Sequence, residues 1–279
     1  MRQSNRSEFE KSRPGSAAAG EPVGGHLFQH SPGDWAGDTS GSTYHGSAVA
    51  LEETCLGRSP TAAFGIRVMA SNRVLYWGSG SPPCWRVMAA LDEKKLDYES
   101  KQISFSEKGH KSEDILALNP RGQVPTFKDG PVVVNESIAA LLYLEQKYPE
   151  PCLMPSPIAP QVLQRLCEVP QLQGAIIGLM QSKGDAAAFD TKIQAFKKEL
   201  GYWESYLSAS KFVAGNVFTL ADLAFAPQVL FFVRQGASLD EYPKLKAYLA
   251  DAKERPSIKS NWPPHWKDTP NQENLKGHV

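Results

Sequence analysis

The sequence has few cysteines. Four occur in 279 residues, at positions 55, 84, 152 and 167. None forms a C-x-x-C pair and no His/Cys cluster has zinc spacing, which argues against a disulfide framework and a structural metal and favours a reducing compartment. Net charge is also lacking: 30 lysines and arginines balance 30 aspartates and glutamates. No global field therefore draws in nucleic acid or an anionic membrane. No apolar run approaches the roughly 18 to 20 residues that span a bilayer, and the first residues lack the apolar core of a secretory signal. No glycine fingerprint for a dinucleotide is present. What remains is a soluble, cytoplasmic chain whose partners are small molecules or protein, without nucleic acid or membrane.

The length suits one large core or two modest ones, and two domains are the better expectation. Residues 1–68 are dominated by Gly, Ser, Ala, Pro and His with no sustained apolar period, a composition that cannot bury enough surface to fold alone. The segment is expected to be a disordered extension or a mispredicted upstream stretch. Met69 stands directly before the first patterned run and marks an alternative start. The arginines of the opening suggest a transit peptide, but Glu8, Glu10 and Glu21 do not suit one.

From Asn72 a pattern appears. RVLYWG predicts a short buried strand, SPPCWRVMAALDEKK a proline-started helix, and LDYESKQIS a second strand. SEDILALNPRG gives a short helix stopped by Pro120 and Gly122. QVPTFKDGPVVVN gives two strands joined by an Asp129-Gly130 turn, and ESIAALLYLEQKYP a closing helix. The order β-α-β-α-β-β-α with a tight hairpin requires a mixed sheet, which is the thioredoxin-like arrangement, over residues 72–151.

After the proline-rich PCLMPSPIAP linker the strand signals vanish. Helices are predicted at roughly 161–182, 185–209, 219–234 and 243–254 by their apolar spacing, forming an all-α domain over 157–266 followed by a 267–279 tail. Phe189, Phe196, Trp203 and Tyr206 form an aromatic stripe at helical spacing, a core feature. Thr219 three residues before Asp222 has the layout of a capping box.

Three features of the first domain carry chemistry. Val124-Pro125 lies between a loop and a strand, where proline is poor strand material. A cis bond there would turn the Val124 backbone outward to pair with an extended peptide ligand. Glu136-Ser137 sits where strand gives way to helix, so the Ser137 hydroxyl and first-turn amides suit a carboxylate, and Glu136 an ammonium. Ser81 opens the first helix at the place where redox proteins of this topology carry a nucleophilic cysteine. A hydroxyl there donates to a ligand thiolate, and with the positive helix end it lowers a thiol pKa from about 8.5 toward neutrality. A plain helix cap is the alternative at both Ser81 and Ser137.

The string from Val74 through Tyr148, followed by a helical domain containing FTLADLAFAP, resembles the cytosolic glutathione transferase superfamily over about residues 72–266. The S-x-P-C register at Ser81 to Cys84 matches its serine-type classes (theta, delta, zeta), and YWGSGSPPCWRVMAALDEKKLDYE with the ending NWPP resembles the fish rho class. The resemblance implies glutathione as co-substrate, no permanently bound cofactor, small hydrophobic electrophiles as acceptors and a homodimer. It implies that Ser81 hydrogen-bonds the glutathione sulfur, with Ser79 in reserve. Val124, with Pro125, would meet the cysteinyl backbone, Glu136 and Ser137 the γ-glutamyl end, and His110 and Gln123 the glycyl end. Gly122 departs from the histidine or lysine common in serine-type relatives, so Arg121 or Lys111 is expected to supply that charge. Tyr76 is expected to be packed rather than catalytic. Leu179, Met180, Lys183 and Phe231 are candidates for the electrophile pocket. Two other readings stay open: a glutathione-dependent thiol oxidoreductase using Cys84, and a non-catalytic interaction module.

Overall fold

Strand β1 (Arg73–Gly78) alternates, burying Leu75 and Trp77 while Val74 and Tyr76 stay partly covered. It sits at the centre of a four-stranded sheet ordered β2-β1-β3-β4 in a computed structural model that describes residues 72–182 and 184–279. The expectations for residues 1–68 and for Lys183 lie outside the described residues. Helix α1 (Pro82–Glu93) crosses over from β1 to β2 (Glu99–Ile103), which is why that pair runs parallel. Helix α2 (Glu113–Leu118) leads to β3 (Thr126–Asp129), and β4 (Val132–Asn135) returns antiparallel through Gly130 at φ +60°, a conformation glycine adopts without strain. Helix α3 (Ser137–Lys147) closes the domain. This is the βαβαββα mixed sheet read from the sequence.

Helices α4 (Ala159–Gln181), α5 (Ala186–Ala209), α6 (Leu220–Arg234) and α7 (Pro243–Ala252) follow, as the apolar spacing requires. A five-residue helix, α8 (Pro256–Ser260), was not anticipated; it is too short to show a period. On α5, Phe196 and Trp203 are fully buried. Trp203 stacks on Phe225 of α6 at 4.1 Å, and Phe196 meets Phe232 edge-on at 4.9 Å. Each such pair adds about 0.5–1.5 kcal/mol beyond its buried area. The capping box is present in both halves: Asp222 accepts from the Thr219 amide at 2.8 Å, and the Thr219 hydroxyl caps the first turn of α6.

The two domains meet where α1 packs against α3, α6 and α8. Nine of the twelve residues of α1 are buried, so the helix lies inside the molecule rather than on it. Its far end is fixed twice. Glu93 takes a bidentate pair from Arg255 at 2.6 and 2.8 Å, and the buried Lys94 pairs with the buried Glu145 of α3 at 2.7 Å. Residues 267–279, read from sequence as a tail, return along the end of α6. The Gln272 amide donates to the Arg234 carbonyl, the Leu275 amide to that of Gln235, and Leu275 is buried. Cys84 and Cys167 are free thiols, whereas Cys152 is disulfide-bonded.

Candidate active site

A cleft of about 550 Å³ opens between the first domain and helices α4 and α6. Ser81, His110, Gln123, Val124, Pro125, Glu136 and Ser137 all line it. Residues from four separate loops and helix starts are thereby brought to one surface.

Ser81 occupies the cap position of α1, yet its hydroxyl makes no capping bond. Pro82 and Pro83 hold the next two positions and carry no N–H, which removes the second-position amide an N-cap serine can serve and leaves only that of Cys84. The hydroxyl sits beside the positive end of a helix.

The bond from Val124 to Pro125 is cis. Below it, the Gln123 carbonyl accepts from Asn119 Nδ2 at 2.9 Å and Thr126 Oγ1 at 3.0 Å, which ties the loop to the buried Asn119. Glu136 turns the chain into α3 at φ +72°, a left-handed value uncommon for a side-chain-bearing residue and characteristic of constrained sites. The turn leaves Glu136 exposed at the cleft and Ser137 buried just behind it.

Ser137 faces a charged side chain at the cleft that sequence reasoning missed. Arg86, on α1, is 2% exposed and lines the cleft floor. Its guanidinium donates to Ser137 Oγ at 3.2 Å, Gln173 Oε1 at 3.3 Å, Gln228 Oε1 at 2.8 Å and the Ala224 carbonyl at 2.8 Å. Burial pulls it down to about 9, so it remains charged at neutral pH. A buried cation held by four neutral oxygens is an incomplete arrangement that an anion completes. The available signal was a charged residue within the otherwise apolar run of α1.

His110 sits on a 3-10 turn (Gly109–Lys111), with its ring 5.7 Å from that of Phe105. Its Nδ1 is buried without a hydrogen-bond partner among the described residues. Gly122, at φ +56°, leaves no space for a side chain: a Cβ would approach the Lys111 stem at 2.9 Å and the His110 carbonyl at 3.0 Å. Neither Lys111 nor Arg121 lines the cleft, and the Lys111 ammonium donates to the Arg121 carbonyl at 2.9 Å.

The facing wall from α4 and α6 carries Pro170, Ile176, Ile177, Met180 and Phe231 beside the two glutamines that hold Arg86, and Phe105 adds an apolar edge from the first domain. Met180 and Phe231 were anticipated; Leu179 was too, but it points into the core at 1% exposure. Ser79 is not on the cleft surface: its hydroxyl pairs with His265 Nδ1 at 2.8 Å. Tyr76 stays within β1, partly covered.

Residues 75–152 match the glutathione S-transferase N-terminal domain and residues 178–261 the glutathione S-transferase C-terminal domain. The chain belongs to the glutathione S-transferase family. It is 42% identical over 221 residues to glutathione S-transferase A of Pleuronectes platessa, covering 74% of this chain and 98% of that protein. The crystal structure of a glutathione S-transferase from the Antarctic clam Laternula elliptica superposes with a TM-score of 0.71 at 47% identity, over 75% of this chain and all of that one. The glutathione transferase URE2P6 of Phanerochaete chrysosporium, solved in complex with oxidized glutathione, superposes at 0.63 with 25% identity, over 72% and 99% of the two chains.

Within this family the oxidoreductase alternative is disfavoured by the state of Cys84. Burial pushes its thiol up to about 11, even though Ser81, the Gly78 amide and the Arg86 charge all pull it the other way. Its thiolate fraction at pH 7 is on the order of one in ten thousand. A side chain 1% exposed and almost fully protonated is not a nucleophile.

Proposed function

We propose that the cleft holds reduced glutathione along the first domain, activates its thiol at Ser81, and presents it to a small hydrophobic electrophile resting on the wall formed by α4 and α6. The observation that carries this reading is the meeting of Ser81, Val124, Glu136 and Ser137 in one cleft whose opposite face carries Ile177, Met180 and Phe231. In this arrangement the Val124 main chain pairs with the cysteinyl backbone, beside Pro125. Ser137 and the first-turn amides of α3 take the γ-glutamyl carboxylate, and Glu136 takes the ammonium. His110 and Gln123 attend the glycyl end. The sulfur then lies at the start of α1, where the Ser81 hydroxyl donates to it.

The chemistry is nucleophilic. The thiol releases its proton to solvent, and the Ser81 hydroxyl and the positive helix end stabilise the anion. The sulfur attacks an electron-poor carbon, forming a C–S bond. The displaced group leaves with its electron pair, or, with an activated alkene, the adjacent carbon takes a proton. Ser81 is a donor throughout and forms no covalent bond. Holding both reactants in one cleft supplies the remaining acceleration.

Family membership supports three further parts of the reading: a homodimer, a cytoplasmic location and a role in the detoxification of electrophiles. Among the described residues no helix is long and apolar enough to cross a membrane.

The test is conjugation of reduced glutathione with 1-chloro-2,4-dinitrobenzene by the purified chain. A rate that saturates in glutathione and exceeds the buffer reaction is expected. No rate above buffer with this probe, an epoxide or an unsaturated aldehyde would overturn the reading.

A further inference from the structure

The loop that presents Ser81 is braced from the far end of the chain. Ser79 and Gly80 join β1 to the start of α1, and the 3-10 turn Pro264–Trp266 is pressed against them. The Ser79 hydroxyl pairs with His265 Nδ1 at 2.8 Å across 186 residues of sequence. Gly80 adopts φ +80°, and a Cβ there would meet His265 Cε1 at 3.0 Å and the Trp266 indole nitrogen at 3.3 Å. Glycine is therefore required by contact as well as by conformation.

The brace is itself anchored. Trp266, 8% exposed, meets Trp85 of α1 and Trp262 edge-on, each at 5.8 Å, and lies 6.4 Å from Phe231 on the cleft wall. The Trp85 indole donates to the Ile258 carbonyl of α8 at 3.1 Å. Arg234, at the end of α6, stacks on Trp266 and donates to the Thr269 carbonyl at 2.8 Å. The Thr269 hydroxyl in turn donates to the His265 carbonyl at 2.7 Å. The turn is thus held on both sides while its imidazole reaches the Ser81 loop.

From this geometry we infer that His265 is a positioning residue for Ser81: through Ser79 and Gly80 it sets where the Ser81 hydroxyl meets the glutathione sulfur. The inference rests on the role proposed for Ser81. A displacement of that donor by a fraction of an ångström weakens its bond to the thiolate while leaving the tripeptide's other contacts in place. The effect should therefore fall on thiol ionisation and turnover rather than on affinity.

The experiment compares the full chain carrying His265→Ala, His265→Asn, Ser79→Ala, Ser79→Ala with His265→Ala, and Ser81→Ala. Three quantities are read: the pKa of the bound glutathione thiol by ultraviolet difference titration, kcat with 1-chloro-2,4-dinitrobenzene, and the glutathione dissociation constant. His265→Ala should lower kcat about 3- to 10-fold, the range for one lost hydrogen bond. It should raise the bound thiol pKa part of the way to that of Ser81→Ala and leave the dissociation constant within about twofold. His265→Asn, which keeps a donor and an acceptor near Nδ1, should recover most of the rate. The double variant should be no worse than its worse parent, because both changes break the same bond. If His265→Ala proves unstable, Ser79→Ala and His265→Asn carry the test from the exposed side. A normal thiol pKa in His265→Ala and Ser79→Ala, beside a raised one in Ser81→Ala, overturns the positioning role and spares Ser81. An unchanged pKa in Ser81→Ala itself overturns both.

Discussion

The Arg86 guanidinium donates to the Ser137 hydroxyl at 3.2 Å, so the group assigned to a ligand carboxylate already rests against a buried positive charge. Among the described residues the hydrogen-bond acceptors that offset the desolvation of that charge are neutral, and a carboxylate on Ser137 supplies what they lack. Arg86→Gln should therefore raise the KM for glutathione tenfold or more, in line with the roughly 1.5–3 kcal/mol carried by hydrogen bonds to charged groups. The KM for the electrophile should hardly change. Steady-state kinetics with each substrate varied in turn decides the matter, and equal effects on both would show that Arg86 serves the fold alone.

Cys84 lies one turn from Ser81 but is buried and protonated. Cys84→Ala should keep glutathione conjugation within about twofold of wild type, and the protein should show no disulfide reductase activity that depends on this thiol. Loss of conjugation in Cys84→Ala together with a correctly folded circular dichroism spectrum would reopen the oxidoreductase reading.

Much of this site was legible in the sequence because its parts are local. Pro82 at a helix start, the Asp129-Gly130 turn, and the Thr219 and Asp222 pair are each decided by neighbours a few residues away, and each appears where expected. The missed features depend on distant partners. Arg86 is buried by α6, with the Ala224 carbonyl 138 residues on, and Ser79 is turned from the cleft by His265. Leu179 and Met180 are adjacent, and only the packed register of α4 sends the first to the core and the second to the cleft. Sequence periodicity identifies an apolar face without saying which of its edges borders a cavity.

Asp222 makes a pH-dependent contribution. Burial raises its carboxyl to about 6, against opposing bonds from the Thr219 and Val213 amides, the Thr219 hydroxyl and Tyr248. The folded state therefore holds this proton more tightly than the unfolded chain, where the value is about 3.9. Its contribution is complete below about pH 4 and is lost as pH rises through about 6, to the extent of roughly 3 kcal/mol. Urea unfolding of wild type and Asp222→Asn between pH 4.5 and 7.5 should show the stability gap shrinking as pH rises. A gap that widens instead would mean that the four donors outweigh burial.

The central claim is that Ser81 activates a borrowed thiol. Ultraviolet difference titration of bound glutathione in wild type, Ser81→Ala and Cys84→Ala tests it most directly. The account predicts a thiol pKa well below about 8.5 in wild type and Cys84→Ala, and a return toward that value in Ser81→Ala with glutathione still bound. A depressed pKa that survives in Ser81→Ala, or no thiolate in wild type at neutral pH, would contradict it.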